Sequence, residues 1–306
     1  MLLQLVGVSG VNDTPVSYTH LDVYKRQSQL TAGARKALDG QSVYALSILD
    51  GNQALARLNQ GAMTLSLPCA AKGEAQMAAV GADGLVRPLT ISSYSAQHKQ
   101  MHGRITDTGL YGIMTTQAPA YDDTSGHWAS GDITFAASRG LLTGTAEGQF
   151  SPDMTMNRGM LFAILHRLVG SPQVVSEGIA FTDISADSYY ADAVAWAVEA
   201  GILSDQATVL SPEQPLTRQE TAVLLQRFAR AQGIELTLDQ PAQVFVDDTE
   251  IARWAAGAVR EMQMAGVMSG RTDGCFDPQG TLTRAETAAV LKKFIAQAAG
   301  GSSKLD

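Results

Sequence analysis

Leu282-Thr-Arg-Ala-Glu286 and Leu216-Thr-Arg-Gln-Glu220 are two versions of one segment, and Asn157-Arg158-Gly159-Met160 is a third. Six residues before each arginine stands a proline, in Phe150-Ser-Pro152, Leu210-Ser-Pro212 and Phe276-Asp-Pro278. Beyond each arginine the apolar residues superpose at +6, +7 and +10: Ile164, Leu165 and Leu168; Leu224, Leu225 and Phe228; Val290, Leu291 and Phe294. That spacing is one face of a helix. Farther upstream, Gly140-Leu-Leu142, Gly201-Ile-Leu203 and Gly266-Val-Met268 end a first helix, with glycine at the expected C′ position. Each unit opens on an aromatic and acidic turn, Tyr121-Asp122-Asp123, Phe181-Thr182-Asp183 or Phe245-Val246-Asp247. One such helix pair cannot bury both its faces, so three units are expected to pack around a shared axis as one all-α domain of helix-loop-helix repeats.

Upstream of the repeats the period changes to two. Tyr44, Leu46 and Ile48 alternate with polar or small residues, as do Met63, Leu65 and Leu67, which reads as half-buried strand. Turn signals at Asp50-Gly51-Asn52, Ala82-Asp83-Gly84 and Asp107-Thr108-Gly109 imply short antiparallel strands at hairpin spacing and a small β-sandwich-like region. The extreme N-terminus is different. Val16 to Gln27 resembles translated sequencing-adapter read-through, so residues 1–27 are set aside as non-native or disordered. The expectation is that natural upstream sequence, with any secretion signal or catalytic domain, is missing.

Composition excludes several function classes. The 306 residues carry 30 acids and 22 bases, a net charge of −8, which opposes a broad electrostatic grip on nucleic acid or anionic lipid. No run of about 18 apolar residues exists, so membrane insertion is not expected. Cys69 and Cys275 form no Cys-x-x-Cys pair, which removes structural zinc and a disulfide framework. His98 and His102 have helical spacing but lie in an expected strand or turn without a third ligand. Asp273 to Glu286 has Cys275 and Pro278 where a calcium loop needs a ligand and a glycine. Nucleophile-elbow, zinc-protease and P-loop motifs are lacking, so no enzyme, cofactor or metal is expected.

Leu282-Thr-Arg-Ala-Glu286 and Leu216-Thr-Arg-Gln-Glu220, the helix starts His127-Trp-Ala129 and Arg253-Trp-Ala255, and the glycine-containing loops ending in Phe-x-Pro resemble S-layer homology (SLH) repeats. The resemblance covers 121–297 and implies a pseudo-threefold domain displayed outside Gram-positive cells. It implies non-covalent binding of secondary cell-wall polysaccharide through pyruvylated N-acetylmannosamine. Expected limits are 28–118 for the β-rich domain, 119–172, 178–235 and 242–297 for the repeats, and 298–306 for a disordered tail. The β-rich part is similar to segments that often precede such repeats in surface proteins. The expected role is anchoring a secreted protein to the cell wall. Alternatives are the targeting fragment of a larger cell-surface glycan hydrolase and a lattice-forming protein that self-associates in an S-layer.

Thr217 and Thr283 stand three residues before Glu220 and Glu286, the capping-box spacing. Arg158, Arg218 and Arg284 then fall at N1, where the helix dipole disfavours a cation by about 0.3–1 kcal/mol. A helix N-terminus with a guanidinium can receive the carboxylate of a pyruvyl ketal; the competing reading is a salt bridge across a repeat interface. Trp128 and Trp254 can stack on sugar faces or pack in a core. Gly144 and Gly270 can admit a ligand against the backbone or supply a turn. Repeat two departs from the pattern, with Tyr189-Tyr190 for the tryptophan and Asp205 where the other repeats have glycine, and repeat one departs with Asn157-Arg158-Gly159-Met160 in place of Thr-Arg-Ala-Glu, so one or two of three unequal pockets are expected to function. Arg284 is expected to be the strongest receptor, its loss costing about 1.5–3 kcal/mol of binding and little folding stability.

Overall fold

The computed structural model describes residues 20–25, 30–38, 42–50, 53–55, 62–70, 74–174, 181–204 and 208–300. They fall into two compact units, Met1–Gln117 with Ala298–Asp306, and Ala118–Gln297.

The first unit contains β1 (His20–Lys25), α1 (Ala32–Ala37), β2 (Tyr44–Asp50), β3 (Gln53–Leu55), β4 (Met63–Pro68), β5 (Ala75–Val80), β6 (Val86–Pro88), β7 (Ser92–Ser95), β8 (Gln100–Ile105) and β9 (Gly109–Thr115). One antiparallel sheet runs β1-β2-β9-β5-β6 with β3 paired to β2, and a second runs β4-β8-β7. Strand β1 lies inside the segment set aside above and pairs along its whole length with β2. Alternation places Leu46, Met63, Leu65 and Leu67 in an apolar cluster with Met77, Met101, Tyr111 and Ile113, drawn from both sheets. Leu38, Ala34 and Leu30 form a separate cluster with Val43 and Ala78.

The second unit contains α2 (Ser130–Ser138), α3 (Arg158–Leu168), α4 (Ala191–Glu199), α5 (Arg218–Ala231), α6 (Arg253–Met264) and α7 (Arg284–Ala298). Each repeat contributes two helices, and the second helix of one repeat meets the first of the next. Helices α3 and α4 pack together, as do α5 and α6. Gln226 of α5 bonds Glu261 of α6 at 2.5 Å, and Lys292 of α7 reaches Asp132 of α2 at 2.7 Å. At the +6, +7 and +10 positions all residues but Val290 are buried, and Phe228 stacks edge-on to Phe294 at 5.7 Å.

The expectation of an all-α repeat domain behind a β-sandwich-like region is corrected by the structure. Among the described residues the chain is mixed α/β, with seven helices and two antiparallel sheets. The repeat unit itself contains β-bridges, Thr155 to Thr283, Asn157 to Pro215 and Thr217 to Thr281. Their cause is local: an N-cap residue needs extended backbone, and Asn157 (φ −109°, ψ 171°) and Thr217 (φ −77°, ψ 158°) have it. Three such extended segments meet and pair. The upstream unit is not purely β either, because Thr31 caps α1 by accepting from the Ala34 amide at 3.1 Å. The Asp107–Gly109 turn carries the chain from β8 in one sheet to β9 in the other, so it makes no hairpin.

The opening aspartates explain the loop geometry. Ser151, Ser211 and Asp277 take φ of 57°, 55° and 60°, a left-handed conformation costly for non-glycine residues. The carboxylate of Asp123 accepts from the Phe150 and Ser151 amides, Asp183 from Leu210 and Ser211, and Asp247 from Phe276 and Asp277. The backbone bonds from Phe150 and Leu210 chiefly hold the Asp123 and Asp183 carboxyls below the ordinary 3.8. Their contribution to stability is present above the unfolded value and is lost as pH falls from there through the folded one. Asp183→Asn is expected to lower the melting temperature at pH 7 and to change it much less near pH 2. An equal drop at both would contradict this role.

Candidate functional site: grooves between repeats

The arginines build the contacts between repeats by one rule. The Arg158, Arg218 and Arg284 amides donate to the carbonyls of Gln214, Gly280 and Met154, each in the following repeat, with repeat three followed by repeat one. The next amides, of Gly159, Gln219 and Ala285, donate to Pro212, Pro278 and Pro152. These bonds satisfy N-terminal donors that a helix cannot satisfy internally.

The side chains follow the same path. Arg218 donates from Nε to Phe276 O at 2.7 Å and from Nη2 to Ser269 O at 2.8 Å. Arg284 does so to Phe150 O at 2.9 Å and Thr143 O at 2.5 Å. Both guanidinium groups lie over the phenyl ring they reach, at 4.9 Å and 4.4 Å, a cation–π arrangement. Burial pushes both arginine pKa values down. Arg158 differs: it donates to Leu210 O at 3.2 Å and turns Nη2 to Glu220 of repeat two at 2.5 Å. Burial alone raises the Glu220 pKa, but hydrogen bonds from the Thr217 backbone, Arg158 and the Thr217 hydroxyl more than reverse it.

Two grooves lie on this framework. One, of about 520 Å³, is bordered by Trp128, Arg218, Gly270, Arg271, Glu286 and Lys293. The other, of about 350 Å³, is bordered by Arg158, Leu210, Glu220, Arg227 and Trp254. Each draws on all three repeats: the floor from one, the arginine from the repeat before it and the tryptophan from the repeat after. Trp128 and Trp254 are 67% and 60% exposed, so neither is a core residue. Trp196 fills the core instead, stacked near His166 and Phe228.

The other expected site residues have intrachain tasks. Thr217 and Thr283 form capping boxes, the Thr283 hydroxyl accepting from the Glu286 amide at 3.1 Å while Glu286 accepts from the Thr283 amide at 2.8 Å. Gly144 and Gly270 lack positive φ, and their need is space. A Cβ on Gly144 would stand 2.7 Å from Gln149 O, and one on Gly270 2.9 Å from the Phe245 ring. Gly270→Ala is therefore expected to destabilise by about 1–3 kcal/mol as overpacking, read as a lower urea midpoint. An unchanged midpoint would show that the loop yields. Asp205 lies outside the described residues. The sequence reading missed Arg271, which bonds Asp277 at 2.7 Å and Glu286 at 3.4 Å, and it missed the packing of Tyr190 on Gly159. The signal for the latter was glycine at 159 where the other repeats have Gln219 and Ala285. Among the described residues there is no cluster of His, Cys, Asp or Glu that could hold a metal, and no helix long and apolar enough to cross a membrane.

Comparison with known proteins places the repeats among related sequences. The chain is similar to exoglucanase XynX of Acetivibrio thermocellus, 27% identical over 208 residues that make up 68% of this chain and 19% of that protein. It is 29% identical to an amylopullulanase of Thermoanaerobacterium thermosulfurigenes over 56% of this chain and 9% of the relative. It is also 29% identical to the surface-layer 125 kDa protein of Lysinibacillus sphaericus, over 51% of this chain and 13% of the relative. The chain thus spans less than a fifth of the length of these relatives. Residues 120–159, 180–222 and 244–288 match the S-layer homology domain. The chain belongs to the S-layer homology domain-containing proteins and carries three of the repeats.

Proposed function

We propose that the repeats anchor the protein non-covalently at the bacterial cell surface by binding pyruvylated secondary cell-wall polysaccharide in the grooves between repeats. The observation that carries this reading is the pairing, in each groove, of an exposed tryptophan with an arginine from another repeat. An indole offers an apolar face to a sugar ring while its N–H stays wet, and a guanidinium offers a planar fork to a carboxylate. The relatives support the location, since they include a surface-layer protein and glycan-degrading enzymes of much greater length. Those enzymes favour a second reading for the longer protein, in which the repeats tether a hydrolase near its substrate. In either case the repeats act as the anchor.

Retention of the purified chain on wall polysaccharide tests the proposal. Binding is expected at low salt and is expected to weaken as salt rises, because exposed charges are screened over about 8 Å at physiological ionic strength. Chemical removal of the pyruvyl groups is expected to abolish it. Equal retention on stripped polysaccharide would refute the carboxylate part of the proposal, and no retention of folded protein would refute anchoring.

A further inference from the structure

One wall of the larger groove rests on a histidine side chain. Trp128, which borders that groove together with Arg218, stands between His127 and Ala129 at the start of α2. In repeats two and three the amide at the position of Ala129 closes on a carbonyl three residues back, Ala191 on Ser188 at 2.9 Å and Ala255 on Ala252 at 2.8 Å. Repeat one differs. The residue three back is Gly126, in the left-handed conformation at φ 74°, and the Ala129 amide donates instead to Nδ1 of the His127 ring at 3.1 Å.

That bond fixes the protonation state. An amide donates only to a bare ring nitrogen, so Nδ1 accepts and the ring proton sits on Nε2, 3.7 Å from Asp153 Oδ1. The ring centroid also lies 5.5 Å from that of the Trp128 indole. One imidazole thus ties the backbone that follows Trp128 and braces its side chain. The charged groups on the surrounding elements are the exposed Asp153, Asp122 and Asp123 on the preceding turn, and Asp132 of α2, which is paired with Lys292. Asp123 is already engaged by the Phe150 and Ser151 amides. A second ring proton goes to Nδ1, where it meets the Ala129 N–H. The bond to Ala129 is then lost, while the charge keeps Asp153 as a partner.

Resting on the anchoring reading, we infer that His127 is a positioning residue for the Trp128 groove, holding the indole in place only while its imidazole is neutral, so that this groove loosens its hold on sugar as pH falls. The groove bordered by Trp254 lacks the device. There Arg253 stands where His127 does, and the backbone alone makes the closure. The loss of affinity on acidification is therefore partial.

Asparagine separates the hydrogen bond from the proton. Its side-chain oxygen accepts from the amide two residues on, as in an Asx-turn, and it does not titrate. Affinity for intact wall polysaccharide is measured at about pH 8 and about pH 5, the two ends of the range in which imidazoles change charge, with the melting temperature of each sample. The parent is expected to bind about fivefold more weakly at the lower pH, the scale of one lost hydrogen bond. His127→Asn is expected to bind at both pH values as the parent does at the higher one, and His127→Ala to bind weakly at both. Trp128→Ala is expected to lose the pH dependence, since the histidine acts through the indole. The other histidines remain in every variant, so an effect arising elsewhere persists in His127→Asn. A parent of equal affinity at both pH values overturns the inference and leaves anchoring standing, as does a His127→Asn variant that still weakens at low pH or is as weak as His127→Ala. If the folded parent is retained at neither pH, both readings fall.

Discussion

Replacing Arg284 by alanine is expected to lower the melting temperature of the repeat unit by roughly 6–12 °C. The side chain is 5% exposed and carries two charge-assisted hydrogen bonds into repeat one. Such bonds contribute about 1.5–3 kcal/mol each, and truncation also strands the Phe150 and Thr143 carbonyls. A loss of about 3 kcal/mol corresponds to that temperature range for a domain of 150–250 residues. The expectation of a nearly unchanged fold came from the dipole term alone, which is several times smaller. Arg284→Lys should recover little, because an ammonium does not span two carbonyls as a planar fork does. A melting curve for Arg284→Ala within one degree of the parent would show that water replaces the lost bonds. A binding defect in this variant must therefore be judged on the folded fraction.

Loss of both exposed tryptophans is expected to act on binding instead. Trp128→Ala and Trp254→Ala each remove a side chain that is 60% exposed or more, so stability should move by no more than about 0.5 kcal/mol, as for ordinary surface sites. Tryptophans that anchor a ligand commonly cost about 2 kcal/mol when truncated, roughly 30-fold in affinity. The double variant should then pass through a polysaccharide column that retains the parent. A folded double variant that is still retained would remove the indoles from the binding surface, and a marked fall in melting temperature would assign them to packing.

The repeats were legible because their signals are local. Caps at Thr217 and Thr283, the proline six residues before each arginine and the apolar stripe beyond it all lie within one helix start. Partnership between repeats was not legible. Sequence spacing sets Trp254 and Arg284 in the same repeat, but rotation between repeats brings Trp254 to Arg158 and Trp128 to Arg218. Glu220 was read as a cap partner for Thr217, and it is also the partner of Arg158, a second task invisible in its own repeat. The choice between stacking and core for the tryptophans stayed open because hydrophobicity cannot separate Trp196, 7% exposed, from Trp128. Helix α1 was missed because it is six residues long and flanked by strand-like sequence, while its cap, Thr31, was present to be read.

The hand-over from each arginine to the next repeat returns to its start, since Arg284 of repeat three closes on repeat one. An open solenoid can be lengthened or shortened a unit at a time, with special end units shielding its edges. Here no unit is an end. Removing one repeat would leave one arginine without its carbonyls and one loop without its arginine. Each of the two grooves takes residues from all three repeats, so the loss of any one repeat removes a wall from both.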